Sequence, residues 1–167
     1  MTHVRRWIVL GLVAAIAACS TAPTRKPARP RPDVSLSRIQ ASGDGREIVM
    51  YSLGLLGVGY QFGGSNPDAG LDCSGMAAFI YKNAVGVALP HNAAEIASRT
   101  REIDRGALKA GDLVFFNTMN RRYSHMGIYI GDNKFVHAPR TNSVIRVDSL
   151  DNSYFAARYD GARAVLN

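Results

Sequence analysis

The order of its apolar patterns constrains the fold of this chain more than any other feature of the sequence. Three helical segments come first, over residues 44–57, 73–86 and 92–99. Four strand-like segments follow, over residues 112–116, 126–130, 134–138 and 144–147. We expect Asp44 to cap the first helix and Gly86 to end the second. Helices first and strands later predict an α+β domain with an antiparallel sheet.

The N-terminus has the pattern of a secretory leader. Two arginines precede an apolar run from Trp7 to Ala18, which is too short for a stable membrane-spanning helix. The run ends at Ile16-Ala17-Ala18-Cys19, which resembles the lipidation motif of bacterial lipoproteins. We therefore expect residues 1–18 to be a lipoprotein signal peptide and Cys19 to carry the lipid. The alternative is an ordinary cleaved signal peptide in which Cys19 has no role.

Residues 19–41 combine the lipidated cysteine with a linker rich in proline and arginine. This segment shows no apolar periodicity, and such a chain behaves as a spacer rather than as part of a core. Ser20 follows Cys19 at the position where an inner-membrane retention signal would place aspartate. We therefore expect a protein of the cell envelope that is anchored by lipid, at the outer membrane and facing the periplasm.

The charge of the chain is concentrated outside its folded part. The whole sequence has 20 Lys and Arg against 13 Asp and Glu, but residues 1–41 hold 7 of the basic and 1 of the acidic side chains. Residues 42–167 are therefore almost neutral, with 13 basic and 12 acidic side chains. This balance argues against a nucleic-acid partner. Their length suits a single catalytic domain and is too short for two.

Cys73 is the residue of this domain that points most directly to chemistry. It lies in Asp72-Cys73-Ser74-Gly75, at the start of the second predicted helix. Once Cys19 is lipidated it has no disulfide partner, and a free thiol in an oxidising compartment indicates reactivity. Because the amides and dipole of a helix N-terminus favour a thiolate, we expect an activated nucleophile. The structural alternative is a buried cysteine that packs as a small hydrophobic residue.

Two histidines, His125 and His137, flank the turn Gly131-Asp132-Asn133. A two-residue loop would put their side chains on opposite faces of the hairpin, because facing alternates with every residue. A three-residue loop sets residue 127 opposite residue 137 and returns both histidines to one face. We predict the odd-length loop or an equivalent bulge. Imidazoles on opposite faces would exclude a paired-histidine mechanism.

A metal site is the competing interpretation of the same residues. Cys73, His91, His125 and His137 are all possible zinc ligands. They lack the close Cys-x-x-Cys or His-x-x-x-His spacing that is typical of zinc sites. We therefore predict neither a metal nor another cofactor.

Several separated motifs, in order and with suitable spacing, resemble those of the NlpC/P60 family of cell-wall cysteine peptidases. They are Tyr60 with Gly63-Gly64, Asp72-Cys73-Ser74-Gly75, Leu108-Lys109-Ala110-Gly111-Asp112-Leu113-Val114-Phe115-Phe116, His125-Met126-Gly127-Ile128-Tyr129-Ile130-Gly131 and His137-Ala138. The resemblance covers most of residues 46–163. It implies a circularly permuted papain-like fold, in which N-terminal helices, with the nucleophile at a helix N-terminus, pack on an antiparallel sheet.

The resemblance also implies a reaction and a set of roles. Family members hydrolyse amide bonds of peptidoglycan stem peptides or cross-links, such as D-glutamyl-diaminopimelate or diaminopimelate-D-alanine, through a cysteine thioester. By motif, Cys73 is the nucleophile, His125 the base and His137 the residue that orients His125. Three further residues are implied to bind the oxyanion or the substrate: Tyr60, Asp72 and Ser74. His91 stands where relatives often carry arginine, and we assign it no catalytic role.

An orienting histidine places a condition on protonation. His137 can accept a hydrogen bond from His125 only while it is neutral and in a suitable tautomer. Because histidine ordinarily titrates near neutral pH, we expect an acidic limb in the pH-rate profile within the range of about pH 5 to 8.

Two alternatives use the same fold differently. An amidase or acyltransferase would use the same thiol, and a non-catalytic wall-binding scaffold lipoprotein would have lost turnover. The presence of Cys73, His125 and His137 argues against a scaffold, since binding alone needs none of them. The expected partners are peptidoglycan stem peptides and, through the lipid anchor, the membrane. A regulatory envelope protein is left open.

Overall fold

Four α-helices and eight strands build the part of the chain that the structure describes, residues 41–166. The computed structural model has its helices at Gly43–Gly54 (α1), Cys73–Val85 (α2), Ala93–Arg99 (α3) and Ser153–Ala156 (α4). Its strands are Ser65–Asn66 (β1), Gly70–Leu71 (β2), Arg101–Ile103 (β3), Leu113–Phe116 (β4), His125–Gly131 (β5), Lys134–His137 (β6), Arg146–Ser149 (β7) and Tyr159–Ala164 (β8). The predictions for the signal peptide, for Cys19 and for the linker up to residue 40 lie outside the described residues.

The three predicted helices all form, although α1 differs from its prediction at both ends. Ser42 is the N-cap of α1, and Asp44 lies inside the first turn instead of capping it. An acidic side chain there still favours the helix through the dipole. The helix ends at Gly54, short of the predicted end at Gly57, which has a φ of 92° that a helix cannot continue. Across residues 41–166, no helix combines the length and the apolar character that a membrane crossing requires.

Helix α2 begins and ends as the sequence predicts. The carboxylate of Asp72 accepts a hydrogen bond from the backbone N–H of Gly75, at 2.7 Å, and so caps the first turn. Gly86 follows the helix with a φ of 72°, the left-handed conformation of a C-terminal cap. The face with Met76, Ile80 and Tyr81 is buried against the core. Cys73 is therefore the first residue of a helix that is fixed at both ends.

The sheet has six antiparallel strands in the order β3-β8-β4-β5-β6-β7, and β1 pairs with β2 in a small separate sheet. All four predicted strands form, and the expected α+β fold with its antiparallel sheet is confirmed. Strands β1, β2, β3 and β8 were not predicted. β8 contains Gly161, with a φ of 145°, and mixes charged and small residues, so it lacks the apolar alternation of a strand.

Both faces of the sheet are covered, because its central strand is apolar on each side. In β4, Leu113 and Phe115 belong to the larger core shared with the helices, whereas Val114 and Phe116 face a second cluster. The second cluster is completed by Phe135, Leu150 and Phe155. A strand buried on both faces fixes the position of its neighbour β5, on which the first histidine lies.

The hairpin of β5 and β6 has the predicted register. Ile128 is opposite Val136, which sets residue 127 opposite residue 137, and a bulge between Tyr129 and Gly131 supplies the extra residue. The turn residues Asp132 and Asn133 both have a φ of 52°. His125 and His137 consequently share one face, as expected, and their ring nitrogens are in contact.

Gly127 offers a test of how tightly this hairpin is packed. A Cβ atom at this position would lie 2.6 Å from Cδ2 of Phe135 and 2.8 Å from the carbonyl oxygen of Val136. We expect Gly127→Ala to lower the free energy of unfolding by about 1 to 3 kcal/mol through overpacking. Urea unfolding followed by circular dichroism measures the change.

The matched control is Gly54→Ala, because a Cβ atom at Gly54 meets nothing within 4 Å. This change should leave stability equal or slightly higher, since alanine favours a helix over glycine. Equal stability of Gly127→Ala and the unchanged chain would contradict the described packing.

Candidate active site

A cleft of about 910 Å³ opens where the N-terminus of α2 meets the sheet. The thiol of Cys73 lines it together with His125 and His137 from the hairpin. The β4–β5 and β6–β7 loops form its rim, because in this antiparallel order both loops lie at the same end of the sheet. The residues that the sequence singled out are therefore gathered in one cavity: Tyr60, Asp72, Cys73, Ser74, His125 and His137.

The thiol of Cys73 lies against the start of β5. The backbone amides of Met126, Ser74 and Cys73 itself lower the pKa of the thiol. Burial is the larger effect, however, and together with the charge of Asp72 it raises the pKa of Cys73 to about 11. The expectation of a thiolate stabilised by the helix N-terminus is therefore wrong for the resting site, because burial outweighs the amides. The thiol is neutral at physiological pH.

The two histidines form a buried hydrogen-bonded chain with a carboxylate. Nε2 of His125 is 2.8 Å from Nδ1 of His137, and Nε2 of His137 is 2.7 Å from Oδ2 of Asp148. Since the carboxylate can only accept, Nε2 of His137 carries a proton and its Nδ1 accepts one from Nε2 of His125. The remaining nitrogen of His125, Nδ1, is then left without a proton. Each link in the chain assigns the tautomer of the next imidazole.

Burial also keeps both imidazoles uncharged. The pKa of His125 is lowered from 6.5 to about 3, first by burial and then by the neighbouring His137 and Arg146. The pKa of His137 is lowered by burial against the opposing effect of Asp148. Phe135 and Phe155 pack on the His137 ring, with centroids 4.9 and 5.2 Å away. These aromatic rings thus exclude water from the two histidines and hold the ring of His137 in place.

Asp148 is the member of this chain that the sequence analysis missed. The predicted strand ended at residue 147, whereas β7 runs over Arg146–Ser149. Arg146 is opposite His137 in the β6–β7 register, so Asp148 lies diagonally from His137 on the same face. Nε of Arg146 donates to Oδ2 of Asp148 at 2.8 Å. Extending the strand by two residues would have revealed a carboxylate on the histidine face.

The carboxylate of Asp72 is fully occupied by hydrogen bonds. Its Oδ1 accepts from the Gly75 amide and from the Ser74 hydroxyl, the latter at 3.0 Å, and lies 2.9 Å from Nε2 of His91. Its Oδ2 accepts from the Gly63 amide at 3.0 Å. His91 was predicted to have no catalytic role, and its bond to the residue preceding Cys73 was not expected.

Tyr60 lies near enough to Cys73 and Asp72 for their charges to affect its ionisation. The pKa of its phenol is raised, first by burial and then by these two groups, so the hydroxyl keeps its proton and can donate a hydrogen bond. The Tyr60 amide donates to the carbonyl oxygen of Ser143 at 2.9 Å, which ties its segment to the β6–β7 loop. Among residues 41–166, no three His, Cys, Asp or Glu side chains are grouped as metal ligands.

Comparison with known proteins identifies the family. The model of the NlpC/P60 family matches residues 57–164. This chain belongs to the NlpC/P60 family. The resemblance inferred from the motifs is thus confirmed, and the papain-like fold with it.

Two curated relatives illustrate the similarity. Murein DD-endopeptidase MepH of Escherichia coli K12 is 41% identical over 114 residues, which cover 66% of this chain and 42% of the relative. Murein DD-endopeptidase MepS/Murein LD-carboxypeptidase of the same organism is 33% identical over 181 residues, covering 97% of this chain and 95% of the relative. This chain therefore spans under half of MepH but nearly all of MepS.

Solved structures agree with the family assignment. The NlpC/P60 domain of the peptidoglycan hydrolase SagA matches with a TM-score of 0.64 and 30% identity, over 72% of this chain and 98% of that one. A family protein from Bacillus cereus matches with a TM-score of 0.70 and 27% identity, over 77% of this chain and 42% of that one.

Alkylation of Cys73 by iodoacetamide tests the neutral thiol. Because the pKa of the thiol is about 11, we expect the labelling rate to rise about tenfold per pH unit from pH 6 to 10 without a plateau. Mass spectrometry of the peptide that contains Cys73 measures the labelling at this residue. In urea the same thiol should titrate near 9.0, its ordinary value. A plateau reached at or below about pH 8 in the folded protein would mean a preformed thiolate.

Proposed function

We propose that this chain is a peptidoglycan endopeptidase that hydrolyses stem-peptide or cross-link amide bonds through a thioester on Cys73. The observation that carries the proposal is the buried chain of His125, His137 and Asp148, which lines the same cleft as the only cysteine among residues 41–166. The names of the curated relatives support a murein substrate. D-glutamyl-diaminopimelate and diaminopimelate-D-alanine are the candidate bonds.

The proposed first half-reaction forms the thioester. The sulfur of Cys73 attacks the scissile carbonyl carbon while Nδ1 of His125 takes the thiol proton. The tetrahedral oxyanion receives a hydrogen bond from the protonated hydroxyl of Tyr60. His125 then passes the proton to the leaving nitrogen, the C–N bond breaks and the amine leaves. The acyl group remains on sulfur.

The second half-reaction returns the enzyme to its starting state. Water attacks the thioester carbon while Nδ1 of His125 accepts one of its protons. Collapse of this second tetrahedral species breaks the C–S bond and releases the carboxylic acid, and His125 returns its proton to the sulfur of Cys73. His137 holds Nε2 of His125 through both half-reactions, so that the basic nitrogen stays Nδ1.

Because Cys73 and His125 are both neutral in the resting site, the expected pH dependence of the rate changes. With the pKa of His125 lowered to about 3, the imidazole remains an available base well below the ordinary histidine range. The acidic limb that the sequence analysis put within about pH 5 to 8 is accordingly expected at lower pH. At the alkaline end, the neutral form of Cys73 persists up to its pKa of about 11.

We also propose the setting in which the enzyme works. The lipidation motif ending at Cys19 and the linker over 19–41 suit a lipid-anchored envelope protein, at the outer membrane and facing the periplasm. Metabolic labelling with a clickable palmitate analogue tests the anchor. Label on the unchanged chain that is absent from Cys19→Ala is the expected result, and label on both would contradict it.

Mass spectrometry of muropeptides tests the proposed reaction. Purified muropeptides of defined stem and cross-link composition are incubated with the protein and, in parallel, with its Cys73→Ala variant. We expect new fragments only with the intact thiol, and their masses identify the bond that is cut. Products that carry an added amine in place of water would instead indicate an acyltransferase. Absence of fragments from every muropeptide would contradict the proposal and favour a scaffold.

Substitution of Asp148 tests the buried chain. In Asp148→Ala, Nε2 of His137 loses its acceptor, so the tautomer of His137 and the orientation of His125 are no longer fixed. We expect kcat on muropeptides to fall about tenfold to a hundredfold, the loss typical of removing an orienting partner, with KM little changed. Asp148→Asn keeps an oxygen acceptor without the charge and should retain more of the activity.

The control for Asp148 is Asp151→Asn. Asp151 is an exposed carboxylate close to Asp148 in sequence that bonds to Arg105 and Asn133 but to no histidine. It should keep the kcat of the unchanged chain. If Asp148→Ala also keeps that kcat while folding normally, Asp148 has no orienting role.

A further inference from the structure

Two of the four arginines that line the cleft have no partner among residues 41–166. Arg122 pairs with Asp160 at 3.1 Å, and Arg146 pairs with Asp148 at 2.8 Å. Within residues 41–166, neither Arg121 nor Arg140 makes a hydrogen bond or an ion pair, and both are exposed at the cleft. Two guanidinium groups are thus free to bind a ligand.

The two arginines flank the histidine pair in the topology of the sheet. Arg121 is on the β4–β5 loop, four residues before His125, and Arg140 is on the β6–β7 loop, three residues after His137. Both loops emerge at the end of the sheet where the histidines lie, because the strands run antiparallel in consecutive order. Arg121 and Arg140 therefore lie on the rim of the cleft that holds the thiol.

Both loops are held in place. The carboxylate of Asp160 accepts from the Tyr123 amide at 2.7 Å and from Nε of Arg122, which ties down the first loop. The Tyr60 amide donates to the carbonyl oxygen of Ser143 at 2.9 Å, and the amide of Ile145 bonds to the segment before Tyr60, which ties down the second. A preorganised loop loses little conformational entropy when its arginine binds an anion.

The charged side chains that line the cleft give it a net positive charge. Asp72 and Asp148 are its acidic side chains, and both are engaged: Asp72 by its hydrogen bonds to the α2 turn, Gly63 and His91, and Asp148 by His137 and Arg146. Arg121 and Arg140 are therefore its uncompensated charges. A planar guanidinium donates two parallel hydrogen bonds to a carboxylate, which makes carboxylates the matching ligand class.

We propose that Arg121 and Arg140 form a carboxylate-recognition site that makes the enzyme prefer stem peptides with free carboxylates near the scissile bond over peptides amidated there. This inference rests on the proposed peptidoglycan substrate and deepens it. Stem peptides carry free carboxylates on D-glutamate, on diaminopimelate and on a terminal D-alanine. Amidation removes the charge and one acceptor oxygen while leaving the peptide backbone unchanged.

The test combines changes in the substrate with changes in the enzyme. Values of kcat/KM are measured for stem peptides in free-acid form and singly amidated at each carboxylate. They are compared among the unchanged chain, Arg121→Gln, Arg140→Gln and Arg46→Gln. Arg46 is a matched control, because it is exposed on α1, has no partner among the described residues and lies outside the cleft.

Non-additivity is the expected result. Amidation of the recognised carboxylate should lower kcat/KM of the unchanged chain and of Arg46→Gln about tenfold to a hundredfold, as for loss of a charge-assisted hydrogen bond. Arg121→Gln or Arg140→Gln should show the same loss on the free acid and little further loss on amidation. The corresponding Arg→Lys variants, which keep the charge without the planar fork, should fall between.

Three outcomes would overturn the inference while leaving the proposed reaction intact. The first is equal cleavage of free and amidated peptides by the unchanged chain. The second is a loss in the arginine variants that is the same on both kinds of peptide. The third is a loss of kcat/KM in the arginine variants that added salt abolishes equally for free and amidated peptides. Such a result would indicate general attraction to polyanions.

A binding measurement separates this inference from the proposed reaction. Calorimetric titration of the Cys73→Ala variant with the free and amidated peptides reports recognition without turnover. Failure of every peptide to be cleaved would contradict the endopeptidase, whereas tighter binding of free acids that disappears in Arg121→Gln or Arg140→Gln would still support the site. Equal binding of both peptides would overturn it.

Discussion

The carboxylate of Asp72 is the point on which the arrangement of the site depends. One side chain caps the helix that begins at Cys73, holds the Gly63 amide of the segment after Tyr60, and bonds to His91 ahead of α3. These groups come from separate parts of the sequence, so a single buried acceptor positions the thiol and the proposed oxyanion donor together. Its negative charge also opposes ionisation of the neighbouring thiol. Geometry and electrostatics are therefore linked through one residue.

Burial, rather than charge pairing, determines the protonation of the site. It raises the pKa of Cys73 and lowers the pKa of His125 and His137, so the uncharged form of each group is favoured. Such a site avoids the desolvation cost of a permanent ion pair, and the charge separation develops only as the thiol attacks. Asp148 lies partly buried at the outer end of the hydrogen-bonded chain, where solvent and Arg146 support its charge. The buried part contains only neutral rings.

Much of this architecture could be predicted from local patterns. The bounds of α2 follow from Asp72 and Gly86, and the shared face of the histidines follows from the period of a strand and the length of one turn. What could not be predicted depends on long-range contacts. The high pKa of Cys73 arises from tertiary burial, which outweighs the local helix N-terminus. Asp148 and β8 were missed because their segments show no apolar alternation. Pairing with neighbouring strands of the sheet determines their positions.

The position of β8 has a consequence for the folding of the chain. This last strand lies between β3 and β4, with Leu113 opposite Arg163, so β4 has a paired strand on that side only after the C-terminal part of the domain is present. Until then an apolar Leu-Val-Phe-Phe edge is open to other chains, and open edges of this kind promote aggregation. Closure of the sheet is also non-local and therefore slow. Incompletely synthesised or C-terminally clipped molecules are thus the form of this protein most exposed to misassembly.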